Sequence, residues 1–208
     1  MITDRATTRM ALLEAVEAAL AGGVDAVQLR DKNLSGADLY QLGRELSALT
    51  RRHGASFYIN DRIDLALSLR AHGVQLGAAS LPIREARRLL PPECRVGYSA
   101  HSAAEAEGAT LSGADFVLLA PIFTPWSKAV TSGAVPLGSE ALWSIAAAVA
   151  IPVYALGGIN AERSRLLMSP PPGAGRAPAG VAVIGAILGA DDPGVAARGL
   201  ITAMGDPA

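Results

Sequence analysis

The feature that most constrains this chain is an alternation. A short apolar run, a loop and a stretch with helical spacing follow one another, and the unit then repeats. The predicted strands cover residues 1–3, 24–29, 56–59, 73–76, 95–98, 115–119, 151–156 and 181–184. Helical spacing is predicted over 11–21, 36–52, 63–70, 82–90, 103–112 and 193–204. Two further helices are expected, one capped by Ser139 and running to Val149, the other capped by Asn160 and running to Met168. Ser35 is the expected cap of the second helix, and Pro82 sits in the first turn of the fourth. Most of the strands are continuous apolar runs, the pattern of a parallel sheet covered on both faces. Eight βα units in 208 residues predict a small (β/α)8 TIM barrel with a truncated first strand. A doubly wound open sheet is the weaker reading, because no GxGxxG follows the first strand. The three-residue opening run implies either a barrel closed by a stub or further residues upstream.

Length and composition narrow the function classes. The expectation is one domain over residues 1–208, large enough to bury its own core. A net charge of -1 removes the electrostatic case for nucleic acid. No apolar run nears the ~20 residues of a membrane span, and the first ten residues lack the apolar core of a secretory signal. The single cysteine, Cys94, fits a reducing compartment and reads as a partly buried thiol. A cytoplasmic protein with small-molecule partners is expected, neither nucleic acid nor membrane among them, and self-association as a homo-oligomer stays open.

In such a barrel the working residues lie at the C-terminal ends of the strands. Read in order, those ends carry Arg30 and Lys32, Asn60 and Asp61, Gly77 to Ser80, Ser99 and His101, Thr124 to Lys128, Gly157-Gly158, and Gly185. Permanent cations and small donors around one mouth suit a phosphate or diphosphate ligand. The loop after residue 119 is longer than a spacer requires, and Thr124, Ser127 and Lys128 give it donors for an oxyanion. Gly157-Gly158 and the Ile184-Gly185 turn match the usual barrel phosphate site, where backbone N–H groups and a short helix N-terminus hold the anion. Each residue also has a plainer reading. Arg30 and Lys32 fit a solvated loop. Asp61 is favoured at a helix start or can hold Mg²⁺. Ser99 fits a helix-entry turn, and Trp126 stacks on a ligand or covers the mouth. His101 reads as structural, His53 and His72 lie at the opposite face, and the Pro/Gly stretch 169–180 reads as a flexible connection on that face.

The segments VQLRDK (27–32), YINDRIDLA (58–66), HGVQLG (72–77), GYSAHS (97–102), APIFTPWSK (120–128), ALGGI (155–159) and GVAVIGAI (180–187) together resemble the thiamine phosphate synthase/TenI family in order and spacing, over nearly the whole chain. The resemblance implies a (β/α)8 barrel. Its synthase branch joins hydroxymethylpyrimidine diphosphate to thiazole phosphate and releases pyrophosphate, through a pyrimidine-stabilised cation. It also implies residue roles. Arg30, Lys32, Asn60, Ser99 and Lys128 would hold the pyrophosphate, Asp61 would ligate Mg²⁺ and Gln28 would face the pyrimidine. Ser127, Gly158, Ile184 and Gly185 would hold the thiazole phosphate.

This chain departs from the synthase pattern at informative places. Synthases usually read GVHLGQ-[DE]-D after the fourth strand, with the last Asp a second Mg²⁺ ligand. Here the segment is GVQLGAAS, so Ser80 stands where that carboxylate would be and the Mg²⁺ site is weakened or lost. Pro125 and Ser127 stand in place of the two threonines of the synthase loop. Such losses resemble the TenI branch, which includes a thiazole tautomerase, yet the histidine of that enzyme would align with Pro121. The resemblance therefore implies a synthase-like transferase, with a TenI-like tautomerase or a non-catalytic thiazole or thiamine phosphate binder as the alternatives.

Overall fold

The computed structural model describes residues 1–124 and 135–205. The elements alternate as the sequence predicts: α1 (Leu12–Ala21), β1 (Ala26–Leu29), α2 (Gly36–Arg52), β2 (Ser56–Asn60), α3 (Ile63–Ser68), β3 (Gly73–Leu76), α4 (Ile83–Leu89) and β4 (Arg95–Ala100). There follow α5 (Ala103–Leu111), β5 (Phe116–Leu119), α6 (Gly138–Ala148), β6 (Val153–Leu156), α7 (Ala161–Leu167), β7 (Gly180–Ala182), α8 (Gly185–Leu188) and α9 (Pro193–Met204). The seven strands form one sheet in sequence order, β1 to β7. The pairings β1–β2, β2–β3, β4–β5, β5–β6 and β6–β7 are parallel, as helical crossovers require. No helix of the described residues is long and apolar enough to cross a membrane.

The chain divides into two compact units, Met1–Val96 with Ile184–Arg198, and Gly97–Val183 with Gly199–Ala208. In the first, α1 buries Leu12, Ala15, Val16, Ala19 and Leu20, a stripe at helical period. All four residues of β3 are buried, Gln75 among them as a buried polar side chain. Ser35 caps α2 by accepting the Asp38 N–H. The opening run enters as a single parallel bridge from Ile2 to Gln28 rather than a full strand. Gln28 donates to the Met1 carbonyl at 2.9 Å and accepts from the Thr3 N–H at 2.9 Å. The chain then turns at once, because the Asp4 carboxylate accepts both the Ala6 N–H (3.0 Å) and the Thr7 hydroxyl (2.8 Å).

In the second unit, Asn160 caps α7 by accepting the Arg163 N–H, as expected, and Ser102 caps α5 in the same manner. Ser139 caps nothing. Helix α6 starts one residue earlier, and carbonyls from the preceding loop accept its entering N–H groups: Pro121 O from Leu137 at 2.9 Å and Ile122 O from Gly138 at 3.0 Å. The expected strand at 181–184 runs instead over Gly180–Ala182, and the next residues wind into the one-turn helix α8. The Pro/Gly stretch before β7 is not a free connection. Arg176 donates its backbone N–H to Trp143 O and its guanidinium to Val149 O, and Gly175 packs so closely on the Trp143 carbonyl that a Cβ would lie 2.3 Å from it. Cys94 is fully rather than partly buried.

Candidate active site

Strand β1 delivers the first two cations, and the backbone between them is held unusually well. The Thr3 hydroxyl accepts the Arg30 N–H at 2.9 Å and donates to the Arg30 carbonyl at 3.2 Å, so one side chain replaces a strand neighbour. Asp31 then folds the loop around its carboxylate, which accepts the N–H groups of Asn33 (2.8 Å) and Leu34 (3.1 Å) and an ion pair from Arg5 at 2.5 Å. Burial pulls the Asp31 carboxyl upward, but the Arg5 bond and the two backbone donors outweigh it and leave the group below its ordinary value. Arg30 is half-buried and Lys32 exposed. Neither has a side-chain partner among the described residues, so their charges are available to a ligand. Gln28, one pleat back, is buried at 7% exposure, and its carboxamide likewise has no partner among the described residues.

At the end of β2, Asn60 pairs in register with Gln75, and the next residue leaves the strand sharply. Asp61 adopts φ +66°, with its N–H on the Gln75 carbonyl at 2.8 Å. That left-handed conformation costs an L-residue about 1–2 kcal/mol, a strain more often found at functional sites than elsewhere. The Asp61 side chain is exposed, and its carboxylate accepts no hydrogen bond among the described residues. Its neighbour Arg62 is already committed, by two bonds to Asp64 at 2.8 and 2.5 Å. After β3, Ser80 closes the turn: its hydroxyl accepts the Gly77 N–H at 2.8 Å and its own N–H reaches the Gly77 carbonyl at 3.0 Å. Ile184 caps α8 and Gly185 opens it. A Cβ on Gly185 would meet only the Thr7 methyl, at 3.9 Å, and its φ lies outside the left-handed region. Nothing among the described residues demands glycine there. The bare backbone leaves room for a ligand to approach.

In the second unit, Ser99 is half-buried on β4, opposite Leu118. His101 lies exposed just beyond, its Nδ1 2.7 Å from the Ala120 carbonyl, which requires the proton on Nδ1. Gly157 and Gly158 have φ of +101° and +61°. The loop leaving β5 crosses directly over them, so a Cβ on Gly158 would lie 2.5 Å from the Thr124 carbonyl and 2.9 Å from that of Phe123. The pair is explained by this backbone crossing, whatever it also does for a ligand. Arg163, a cation the sequence reading did not single out, donates to the Gly158 carbonyl and stacks on Phe123 at 4.6 Å from the ring centre. Thr124 is exposed at the start of the long loop. Pro125, Trp126, Ser127 and Lys128 lie outside the described residues.

Thr3, Arg5 and Asp31 are the other residues that sequence reasoning missed. Asp-Lys-Asn is a recognisable turn sequence, so Asp31 had a local signal. Thr3 and Arg5 had none, since their partners lie 27 and 26 residues away.

The chain is similar to known proteins over most of its length. A family model described as thiamine monophosphate synthase matches residues 1–187. The chain is 44% identical over 188 residues to the thiamine-phosphate synthase of Moorella thermoacetica, covering 90% of this chain and 86% of that one. It is 43% identical over 204 residues to the thiamine-phosphate synthase of Chlorobium luteolum, covering 98% and 91%. Among solved structures, thiamine phosphate pyrophosphorylase from Pyrococcus furiosus superposes with a TM-score of 0.85 at 36% identity, covering 98% of this chain and 93% of that one.

Proposed function

We infer that this chain, which belongs to the thiamine monophosphate synthase family, is a transferase that joins hydroxymethylpyrimidine diphosphate to thiazole phosphate and releases pyrophosphate. The observation that carries the reading is the β1 end. Two cations without side-chain partners among the described residues, Arg30 and Lys32, flank an aspartate fixed by three bonds, an arrangement suited to a diphosphate. In the reaction the bond between the pyrimidine methylene carbon and the diphosphate oxygen breaks, and its electron pair leaves with the pyrophosphate. The thiazole nitrogen then supplies the pair for the new carbon–nitrogen bond. Chemistry of this kind asks the protein for positioned charge rather than a nucleophile of its own. Arg30, Lys32 and Asn60 hold the departing diphosphate. Gln28 faces the pyrimidine, and the backbone at Ile184 and Gly185 receives the thiazole phosphate. The family resemblance adds Ser99, Ser127, Lys128 and Gly158 to these anion contacts.

The donor set fits Mg²⁺ held jointly with the substrate. Among the described residues no group of three or more His, Cys, Asp or Glu is arranged to hold a metal. Mg²⁺ needs only one or two carboxylates when phosphate oxygens complete its shell, and Asp61 offers an exposed, uncommitted one. The ion, when bound, neutralises charge developing on the leaving diphosphate. Ser80 stands where the family pattern has a second carboxylate, and its hydroxyl is taken by the Gly77 N–H, so Asp61 would hold the metal weakly before substrate arrives. The reading includes a single domain closed as a (β/α)8 barrel, supported by seven strands in sequence order and the Ile2–Gln28 bridge as the eighth contribution. A cytoplasmic location and a homo-oligomeric assembly are compatible with it.

The test is direct. Folded protein, both precursors and millimolar Mg²⁺ should yield thiamine phosphate and pyrophosphate in equal amounts, and absence of product would reject the transferase. Ser80 favours one alternative, a binder of thiazole or thiamine phosphate without chemistry, and any turnover excludes it.

A further inference from the structure

Building on the function proposed above, we propose that Thr3 and Arg5 are positioning residues for diphosphate recognition, holding the Arg30–Asp31–Lys32 segment in its binding conformation before substrate arrives. Three observations in the first unit converge on this. The Asp31 side chain is only 8% exposed, and of its three partners Arg5 alone comes from a distant part of the chain. Thr3 satisfies both backbone groups of Arg30 with one hydroxyl, at the point where β1 has run out of strand. Meanwhile the side chains of Arg30 and Lys32 have no hydrogen-bond or ion-pair partner among the described residues, so their direction follows the backbone that carries them.

The electrostatics give the arrangement its force. A shielded carboxylate that loses its counter-charge keeps only its two backbone donors and gains by opening its loop toward water. Opening the Asp31 loop swings the two cations on either side of it. The same segment continues past Gly185, where the Thr7 methyl is the nearest atom to the position a Cβ would take. Arg9 then pairs with Asp191 at the surface, where both side chains are mostly exposed and the pair contributes little. Preorganisation of this kind acts on affinity for the diphosphate, not on the thiazole phosphate and not chiefly on global stability.

Calorimetry with inorganic pyrophosphate and Mg²⁺, on the full chain, tests it. Wild type should bind. Arg5→Gln should bind about 5- to 30-fold more weakly, the scale of reordering a few side chains. Arg5→Lys, which keeps the charge, should recover most of that loss. In turnover, KM for the pyrimidine diphosphate should rise while KM for thiazole phosphate holds. Thr3→Val, which removes only the hydroxyl, should act in the same direction; if it does not fold, the Arg5 series decides. Equal pyrophosphate affinity in Arg5→Gln and wild type would overturn the inference and leave the transferase standing. Equal weakening toward both phosphates would overturn it too, as would a fall in melting temperature with affinity unchanged. A wild-type protein that does not bind pyrophosphate would remove the transferase and the inference together.

Discussion

Two glycines that a phosphate-site reading treats alike should behave as opposites on substitution by alanine. At Gly158 the methyl group meets two obstacles. The backbone sits at φ +61°, which costs an L-residue about 1–2 kcal/mol. The new Cβ would also lie 2.5 and 2.9 Å from the carbonyl oxygens of Thr124 and Phe123, and these belong to backbone that is itself hydrogen-bonded to Leu156 and Gly157. Forcing such an overlap typically costs about 1–3 kcal/mol. The unfolded chain returns about 0.4–1 kcal/mol of entropy on Gly→Ala, so a net loss of about 2–4 kcal/mol is expected. In a chain of this size that lowers the melting temperature by about 5–15 °C. At Gly185 the nearest atom is 3.9 Å away and φ is ordinary, so Gly185→Ala should shift the melting temperature by no more than about 2 °C. It should instead weaken thiazole phosphate binding about tenfold or more, because the methyl fills the space left for the anion. Thermal denaturation and calorimetry on both variants decide. Equal melting temperatures, or a Gly185→Ala protein that binds thiazole phosphate as wild type does, would refute the reasoning.

Further outcomes follow from other contacts. Asp31 has a folded-state pKa below its ordinary 3.8, so its contribution is complete above that value and is lost as the pH falls through the depressed one. Wild type should therefore exceed Asp31→Asn in melting temperature at neutral pH, with the gap closing below pH 3.8; a gap that widens in acid would contradict the sign. Ser80→Asp should raise Mg²⁺ affinity measured by calorimetry, since a carboxylate can accept the Gly77 N–H with one oxygen and offer the other. Ser80→Ala, which leaves that N–H without its acceptor, should cost about 1 kcal/mol in denaturant unfolding. Lys128→Ala should weaken pyrophosphate binding far more than His101→Ala, whose imidazole is tied to the Ala120 carbonyl; equal effects would misassign the mouth.

The fold was legible because its strongest determinants are local. Apolar runs and helical stripes such as that of Leu12, Ala15, Val16, Ala19 and Leu20 announce themselves at fixed spacing, and Ser35 and Asn160 cap residues only three positions on. What escaped was set by contacts distant in the chain. Ser139 looked like a cap, but loop carbonyls at Pro121 and Ile122 took that task. Gly157-Gly158 looked like an anion nest, while the structure adds a crossing backbone that no spacing rule foretells. The candidate cations could be picked out as residues following apolar runs. Their orientation could not, because it depends on Thr3 and Arg5, whose partners lie 27 and 26 positions away.

The central claim is that side chains from the ends of β1 and β2 receive one departing diphosphate. The measurement that meets it head-on is a crystal structure of the protein soaked with pyrophosphate, Mg²⁺ and thiazole phosphate. The account predicts a single pyrophosphate contacted by Arg30, Lys32 and Asn60, with Asp61 as a ligand of the Mg²⁺ and the thiazole phosphate at Gly185. Pyrophosphate bound away from these residues, or Arg30 and Asn60 on different ligands, would contradict it.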